Sequence, residues 1–305
     1  MKIRSLFNTR LDSKDFLLLV ALHENARQSY RSLGKRASLS APATRDRLEH
    51  LKTRGIIQGF WLSMDPRIFG LYDTLIFFRS EITRKQAERA AEVTGTAWVA
   101  LKLDGGMTVQ LWSKEAKPLV LIGELEKAVG KTSDGAAFSE SLNYQRQNFK
   151  LSPLDWNLLD CLVEDPLMNF GRLVSITGLS PKTVRNHLEA LIRDEVIYIL
   201  PILGSLADSG ELLFQIAING KITLPVIREI MGDVFLINET NDPPIKYLLC
   251  KGTNLPDVTT KTAKLNRLSD VESATLALNK DQIINNKFLH SLISGKISEK
   301  RNVRA

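Results

Sequence analysis

Cysteine is nearly missing from this chain: among 305 residues only Cys161 and Cys250 carry a thiol, and both stand in apolar runs. A disulfide framework has too few members, and two buried free thiols in a reducing compartment are the expectation. Histidine is almost as sparse. His23, His50, His187 and His290 are the four, and no Cys/His cluster has the spacing of zinc ligands, so no metal is expected. Neither a GxxxxGK[ST] nor a GxGxxG run occurs, which removes the usual nucleotide cradles, and no cofactor is expected. No apolar run approaches the roughly 18 residues that cross a bilayer, and the basic stretch Met1 to Arg10 lacks the apolar centre of a secretion signal. The expectation is a cytoplasmic protein without a membrane partner.

The chain has 44% hydrophobic and 25% charged residues, an ordinary globular composition, with length for several small domains. Its net charge of +7 permits a nucleic-acid partner without requiring one.

The most informative stretch is residues 39 to 54, Leu-Ser-Ala-Pro-Ala-Thr-Arg-Asp-Arg-Leu-Glu-His-Leu-Lys-Thr-Arg. Ser40 can cap a helix, Pro42 suits its first turn, and Gly55 suits its left-handed end. Leu48 and Leu51 form an apolar back. Ala43, Thr44, Arg45 and Arg47 point elsewhere and give a small, basic front. Upstream, Asp12 and Asp15 can cap a helix running to about Asn25 with Phe16, Leu18, Leu19 and Leu22 as its stripe. Ser29 can cap a shorter helix from Tyr30 to Ala37, which Gly34 weakens by roughly 1 kcal/mol relative to Ala. Ile56 to Leu62 follows as a strand. Three helices and a strand in this order make a winged helix-turn-helix, which places its third helix in a DNA major groove.

The pattern occurs twice. A shift of 140 residues aligns Leu11, Asp15, Leu18 and Leu19 with Leu151, Asp155, Leu158 and Leu159 without a gap. The register continues through Leu33/Leu173, Ser40/Ser180, Arg45/Arg185, Leu48/Leu188, Leu51/Leu191 and Ile57/Ile197, as a duplicated unit requires. Charge does not follow the apolar scaffold. Residues 11–57 hold nine Lys and Arg against five acids, a balance of +4, whereas residues 151–197 hold four against seven, a balance of −3.

After the first unit, strands at Leu71–Ser80, Thr96–Leu103 and Met107–Ser113, helices at Thr83–Val93 and Pro118–Val129, and a weaker strand at Ala136–Tyr144 give βαββαβ. The order returns at Leu212–Asn219, Leu224–Met231, Val234–Glu239, Ile245–Lys251, Asp257–Leu268 and Val271–Asn279. A short helix through Ile293 and a solvated basic tail, Lys296 to Arg304, are expected after Lys280.

Leu11-Asp12 through Tyr30, Leu33, Leu39-Ser40, Arg45 to Leu51 and Gly55-Ile56-Ile57 resemble the winged-helix domain of the Lrp/AsnC (feast/famine) transcription regulators, whose members continue into a βαββαβ effector and oligomerisation domain. The fold class is therefore α+β: winged helices at residues 1–64 and 149–203 alternate with ferredoxin-like domains at 65–148 and 204–280, ending in a helix and basic tail at 281–305. The resemblance implies a DNA-binding transcription regulator and not an enzyme. Arg45 and Arg47 would reach base edges or phosphates, with Ala43 and Thr44 near the groove floor. Arg31, Lys35, Arg36, Lys52 and Arg54 would supply phosphate contacts. In the second unit Lys182, Arg185 and His187 could make a weaker half-site. A solvated face in which the arginines pair with Asp46 and Glu49 is the plainer account.

The family places amino-acid effectors near a loop like Asp104-Gly105-Gly106, although a plain hairpin turn explains those residues as well. No glycine marks the counterpart, Thr240 to Pro244. Phe60, Trp61, Phe77, Phe78, Trp98 and Trp112 read as sheet packing rather than base-stacking platforms. The two βαββαβ sheets would cover each other's open faces through Leu75, Phe77, Leu212 and Phe214, an intramolecular pseudo-dimer open to further homo-oligomerisation. Two other classes share the fold: a siroheme-decarboxylase-like tetrapyrrole enzyme, and an interaction module that binds no DNA. No histidine falls in either βαββαβ segment, which counts against general-base work there.

Overall fold

The computed structural model describes residues 11–139, 150–204, 212–240, 243–277 and 279–302. Residues 140–149, into which the strand expected at Ala136–Tyr144 extends, lie outside the described residues, as do 1–10 and the tail's last residues, 303–305.

The first winged unit consists of α1 (Ser13–Asn25), α2 (Tyr30–Arg36), α3 (Ala41–Thr53) and β1 (Ile57–Met64). Local chemistry sets its boundaries. Asp12 and Asp15 form a reciprocal capping box, and Ser29 and Ser40 accept the backbone N–H groups of Ser32 and Ala43. Gly55 ends the third helix at φ +70°. The second winged unit repeats this with α6 (Pro153–Glu164), α7 (Phe170–Thr177), α8 (Pro181–Arg193) and β6 (Ile197–Leu203). Its backbone keeps the left-handed positions at the same repeat sites, Ser38 matching Gly178 and Gly55 matching Glu195.

The wing strands β1 and β6 pair antiparallel. Leu62 faces Ile199 and Gly59 faces Ile202; these two pairs exchange under the 140-residue shift, so the pairing is self-complementary about a pseudo-two-fold axis. The winged units share one core. Leu18, Leu19 and Leu51 from the first, and Leu158, Leu159 and Leu191 from the second, belong to the same buried cluster. Arg27 reinforces the junction by donating to the carbonyls of Pro166 and Met168 at 2.7 Å each.

A 3₁₀ turn at Pro66–Phe69 leads to the first ferredoxin-like domain: β2 (Tyr72–Phe78), α4 (Arg84–Glu92), β3 (Thr96–Lys102), β4 (Met107–Ser113), α5 (Leu119–Val129) and β5 (Gly135–Ser139). The second contains β7 (Leu212–Gly220), α9 (Leu224–Met231), β8 (Val234–Glu239), β9 (Ile245–Gly252), α10 (Leu255–Leu265) and β10 (Val271–Ala277). Strand orders β3-β4-β2-β5 and β10-β7-β9-β8 are the split βαβ arrangement, each sheet covered on one face by its own helices.

The chain's end differs from expectation. Asn279–Ile284 is a strand, β11, which adds to the first ferredoxin-like sheet beside β3, and α11 (Asn286–Asn302) follows it. Phe288, Leu289, Leu292 and Ile293, within the expected helix, seat α11 on the core of the winged units, and the helix runs on to Asn302 through most of the stretch expected as tail, so β11 and α11 together form a strap.

The open sheet faces meet at Leu75, Ala137 and Ile245, with Phe77, Ala217 and Tyr247 beside them. Strand parity corrects one expected contact. Phe214 packs with Ile216 and Ile218 beneath its own helices, while Gln215, Ala217 and Asn219 face the opposing sheet. The side chain of Leu212 lies outside the described ones.

Candidate nucleic-acid interface

Helix α3 carries the candidate reading surface, and its sequence divides by burial. Thr44, Leu48 and Leu51 are buried, Ala43 is half-buried, and Arg45 is exposed. Arg45's nearest carboxylate is that of its neighbour Asp46, at 3.5 Å and itself 71% exposed, so the guanidinium stays available. Arg31 and Lys35 on α2 are exposed as well. Arg36 is paired with Glu24 at 2.7 Å, and Lys52 with Glu49 at 2.9 Å, both on the surface. Arg54 is half-buried at the end of α3.

Two expected contact residues need correction. Thr44 is fully buried, its hydroxyl donating to the Ser40 carbonyl at 2.9 Å, so it packs under α3 instead of facing a groove. Arg47 turns back onto α1, where its guanidinium meets Asp15 at 2.8 Å and Asp12 at 2.9 Å. Desolvation lowers the guanidinium's pKa, but these two carboxylates outweigh it and raise the pKa overall. Arg47 therefore fastens α3 to α1.

The second unit repeats that fastening: His187 Nδ1 lies 2.7 Å from Asp155, which removes His187 from the expected half-site set. Lys182 is exposed, and Arg185 lies over the Phe170 ring at 5.3 Å.

Gly34 has a structural reason. A Cβ there would come within 2.3 Å of Thr44 Oγ1 and 2.7 Å of the Leu39 carbonyl, so the α2–α3 crossing requires glycine. The second unit uses Val174 and Val184 at these positions.

A second feature lies away from this surface. The two ferredoxin-like sheets diverge from their contact to enclose a chamber of about 1610 Å³, which the wing strands also border through Trp61 and Tyr198. Asp104 and Gly106 of the expected effector loop line it; Gly105 does not. Asp104 accepts the Gly106 N–H at 2.9 Å, the bond of a tight turn. Asp73 accepts from Gln110 Nε2 at 2.8 Å, and burial, with the charge of Asp65 adding to it, pushes its carboxyl up to about 7. Among the described residues, the Tyr247 hydroxyl and Asn219 Oδ1 are buried without a hydrogen-bond partner. His23, at the end of α1, also lines the chamber, its ring 5.8 Å from that of Phe235. Burial lowers its pKa against an opposing hydrogen bond to the Leu19 carbonyl. The fold thus brings in an imidazole that the βαββαβ segments lack.

Among the described residues, no group of three His, Cys, Asp or Glu side chains could hold a metal, and no helix is long and apolar enough to cross a membrane. Both thiols are free; burial pushes Cys250 up to about 12.

Paired capped helix-turn-helix units with joined wings, each followed by a ferredoxin-like sheet, define a tandem winged-helix protein of α+β class. Residues 11–52 match the model of the AsnC-type helix-turn-helix domain, and residues 151–198 that of a winged helix-turn-helix DNA-binding domain. The chain thus carries an AsnC-type helix-turn-helix domain and a second winged helix-turn-helix domain, and in these segments it is similar to Lrp/AsnC-type regulators.

It is 38% identical over 61 residues to the HTH-type transcriptional regulator Rv2324 of Mycobacterium tuberculosis, covering 20% of this chain and 41% of that protein. An HTH-type transcriptional regulator of Methanocaldococcus jannaschii is also 38% identical, over 60 residues, 20% of this chain and 40% of its own length. The chain therefore spans about two-fifths of these relatives. Among solved structures, the siroheme decarboxylase NirDL aligns over 91% of this chain and 98% of its own at 13% identity and a TM-score of 0.46.

Proposed function

We propose that this chain is a cytoplasmic transcription regulator that binds double-stranded DNA through its first winged helix. The observation that carries this is the exposed cationic set Arg31, Lys35 and Arg45 around the N-terminal half of α3, in the unit whose net charge is +4. Phosphate neutralisation dominates DNA affinity, so a unit of balance −3 makes a poor primary reader however well its apolar scaffold is kept. Lys182 and Arg185 would give the second unit at most a weak half-site contact, or it would serve as a docking face. A regulator needs no turnover chemistry; occupancy of a promoter suffices. Fluorescence anisotropy on promoter fragments at several salt concentrations tests the reading. Affinity should fall steeply with salt, by close to one log–log unit for each neutralised phosphate.

A small-molecule effector, such as an amino acid, is part of this proposal; what supports it is that Asp104 and Gly106 border the chamber. The self-complementary wing pairing supports an intramolecular pseudo-dimer as the unit of assembly, with homo-oligomers built from whole chains.

One observation favours a second reading, an enzyme of siroheme-decarboxylase type: His23 puts an imidazole in the chamber wall that also holds Asp73. Incubation with siroheme, followed by mass spectrometry of the pigment, separates the readings. Loss of carboxyl groups would establish the enzyme, and an unchanged pigment would leave regulation.

A further inference from the structure

We propose that one chain reads an imperfect inverted repeat in duplex DNA. Both halves carry a guanine, read by Arg45 and Arg185, but a neighbouring position differs: cytosine for Asp46, adenine for Asn186. The inference rests on the regulator reading and names the kind of site that reading would use.

Symmetry comes first. The wing pairing exchanges Leu62–Ile199 with Gly59–Ile202 under the 140-residue shift, so one pseudo-two-fold axis relates the winged units, and with them α3 and α8. The two units share a buried core, which holds the two helices in a set relation. A two-fold pair of reading helices matches inverted half-sites.

Burial identifies the residues that would face the groove. Thr44, Leu48 and Leu51 are buried beneath α3, and Val184, Leu188 and Leu191 beneath α8. The opposite stripe of α3, at helical spacings of three and four, is Pro42, Arg45, Asp46 and Glu49, all exposed. Its counterpart on α8 is Lys182, Arg185, Asn186 and Glu189, exposed as well.

Two of these positions are shared by the halves. Arg45 and Arg185 each offer a guanidinium, which donates in pairs to guanine O6 and N7. Arg185 lies over the Phe170 ring at 5.3 Å, a stacking that leaves the N–H edge of its planar fork available. Glu49 is engaged by Lys52 at 2.9 Å and recurs as Glu189, so it does not distinguish one half from the other.

The remaining two positions differ. The Asp46 side chain is 71% exposed, and its carboxylate only accepts, which suits the amino group of cytosine. Asn186 has a donor and an acceptor on one amide, the pair that adenine N7 and N6 require. Pro42 offers nothing where Lys182 has an ammonium. A perfectly symmetric site would therefore satisfy only one of the two helices.

The test selects sequences bound by the full wild-type chain from a randomised duplex library. Expected is an inverted repeat with guanine at matched positions and the cytosine–adenine difference beside them. Exchanging that cytosine for adenine should weaken binding about tenfold in competition anisotropy, the scale of one lost base contact. The reverse exchange in the second half should cost less, because that unit is the weaker reader. Asp46→Asn, at an exposed position, should select adenine in both halves, and Asn186→Asp cytosine in both. Wild-type sites already symmetric at this position, a lone half-site without a partner, or an unchanged preference in Asp46→Asn would each overturn the proposal while leaving DNA binding in place. Enrichment of no sequence by a chain that circular dichroism shows to be folded would instead overturn the regulator reading, and this inference with it.

Discussion

Arg47 on α3 donates to the Asp15 carboxylate on α1 at 2.8 Å, and this bond sets how the candidate reading helix sits on the first helix. The repeat rebuilds the relationship with other chemistry: His187 meets Asp155 at 2.7 Å. A basic side chain at this repeat position is therefore a structural requirement of both units, whether or not the unit carries a cationic surface. The Asp15 side chain is 10% exposed, so removing its partner leaves a nearly buried carboxylate beside one remaining, more exposed acid.

Arg47→Ala should accordingly destabilise the first winged unit. The expected loss is about 1 kcal/mol, since the guanidinium itself is partly open to solvent and screened. Arg45→Ala should leave the melting temperature unchanged. Thermal melts of the two variants side by side check this, and equal melting temperatures would return Arg47 to the surface set.

Gly34→Ala should be the more damaging substitution. The added methyl must displace a backbone carbonyl as well as the Thr44 hydroxyl, and overpacking of that kind costs about 1–3 kcal/mol. Both the melting temperature and DNA affinity should fall. Val174→Ala at the same repeat position removes atoms instead, and should leave DNA affinity nearly unchanged.

Asp73 gives stability a pH dependence of definite sign. Burial raises its folded pKa to about 7 from 3.8, so between those values the native state keeps a proton that the unfolded chain has released. Its contribution therefore falls as pH rises from about 4 to about 7, then levels off. Asp73→Asn should raise the melting temperature at pH 8 by several degrees and change it little at pH 4. A gain equal at both values would show that the carboxyl does not titrate in this window.

His290 on the C-terminal strap acts in the same direction from a different origin: stability again falls as pH rises, here because a favourable charge is lost. Desolvation lowers its pKa, but hydrogen bonds to Asp160 and Glu164, each 2.8 Å away, prevail and raise it. Its stabilising contribution is complete below the unfolded value near 6.5 and is lost as pH rises through the folded value. His290→Ala should lower the melting temperature more at pH 6 than at pH 9. Calorimetry at the two values checks the direction.

What the residues disclosed in advance was the local part of the fold. Asp12, Ser29 and Ser40 announce helix starts through bonds spanning three residues, and Gly55 announces an end through its own φ. The repeat was legible because its apolar positions keep one register. Arg47 was misread because its partners lie 32 and 35 residues back, on another helix, and only tertiary packing brings them near. Thr44 was misread although its spacing to Leu48 and Leu51 is helical, because its hydroxyl bonds one turn back to Ser40 and so can be buried. The wing pairing, the strap strand β11 and the chamber depend on contacts between distant segments that no local pattern encodes.

The central claim is that the first winged helix is the main DNA reader. Its most direct test compares Arg45→Ala with Lys35→Ala against Lys182→Ala with Arg185→Ala, each pair in one protein, by anisotropy on one promoter fragment at fixed salt. Because Arg47 stays in place, the first pair does not disturb the α1–α3 junction. The account expects the first pair to lose several-fold more affinity than the second, and to show a shallower salt slope than the wild type. Equal losses, or a larger loss in the second unit, would contradict it.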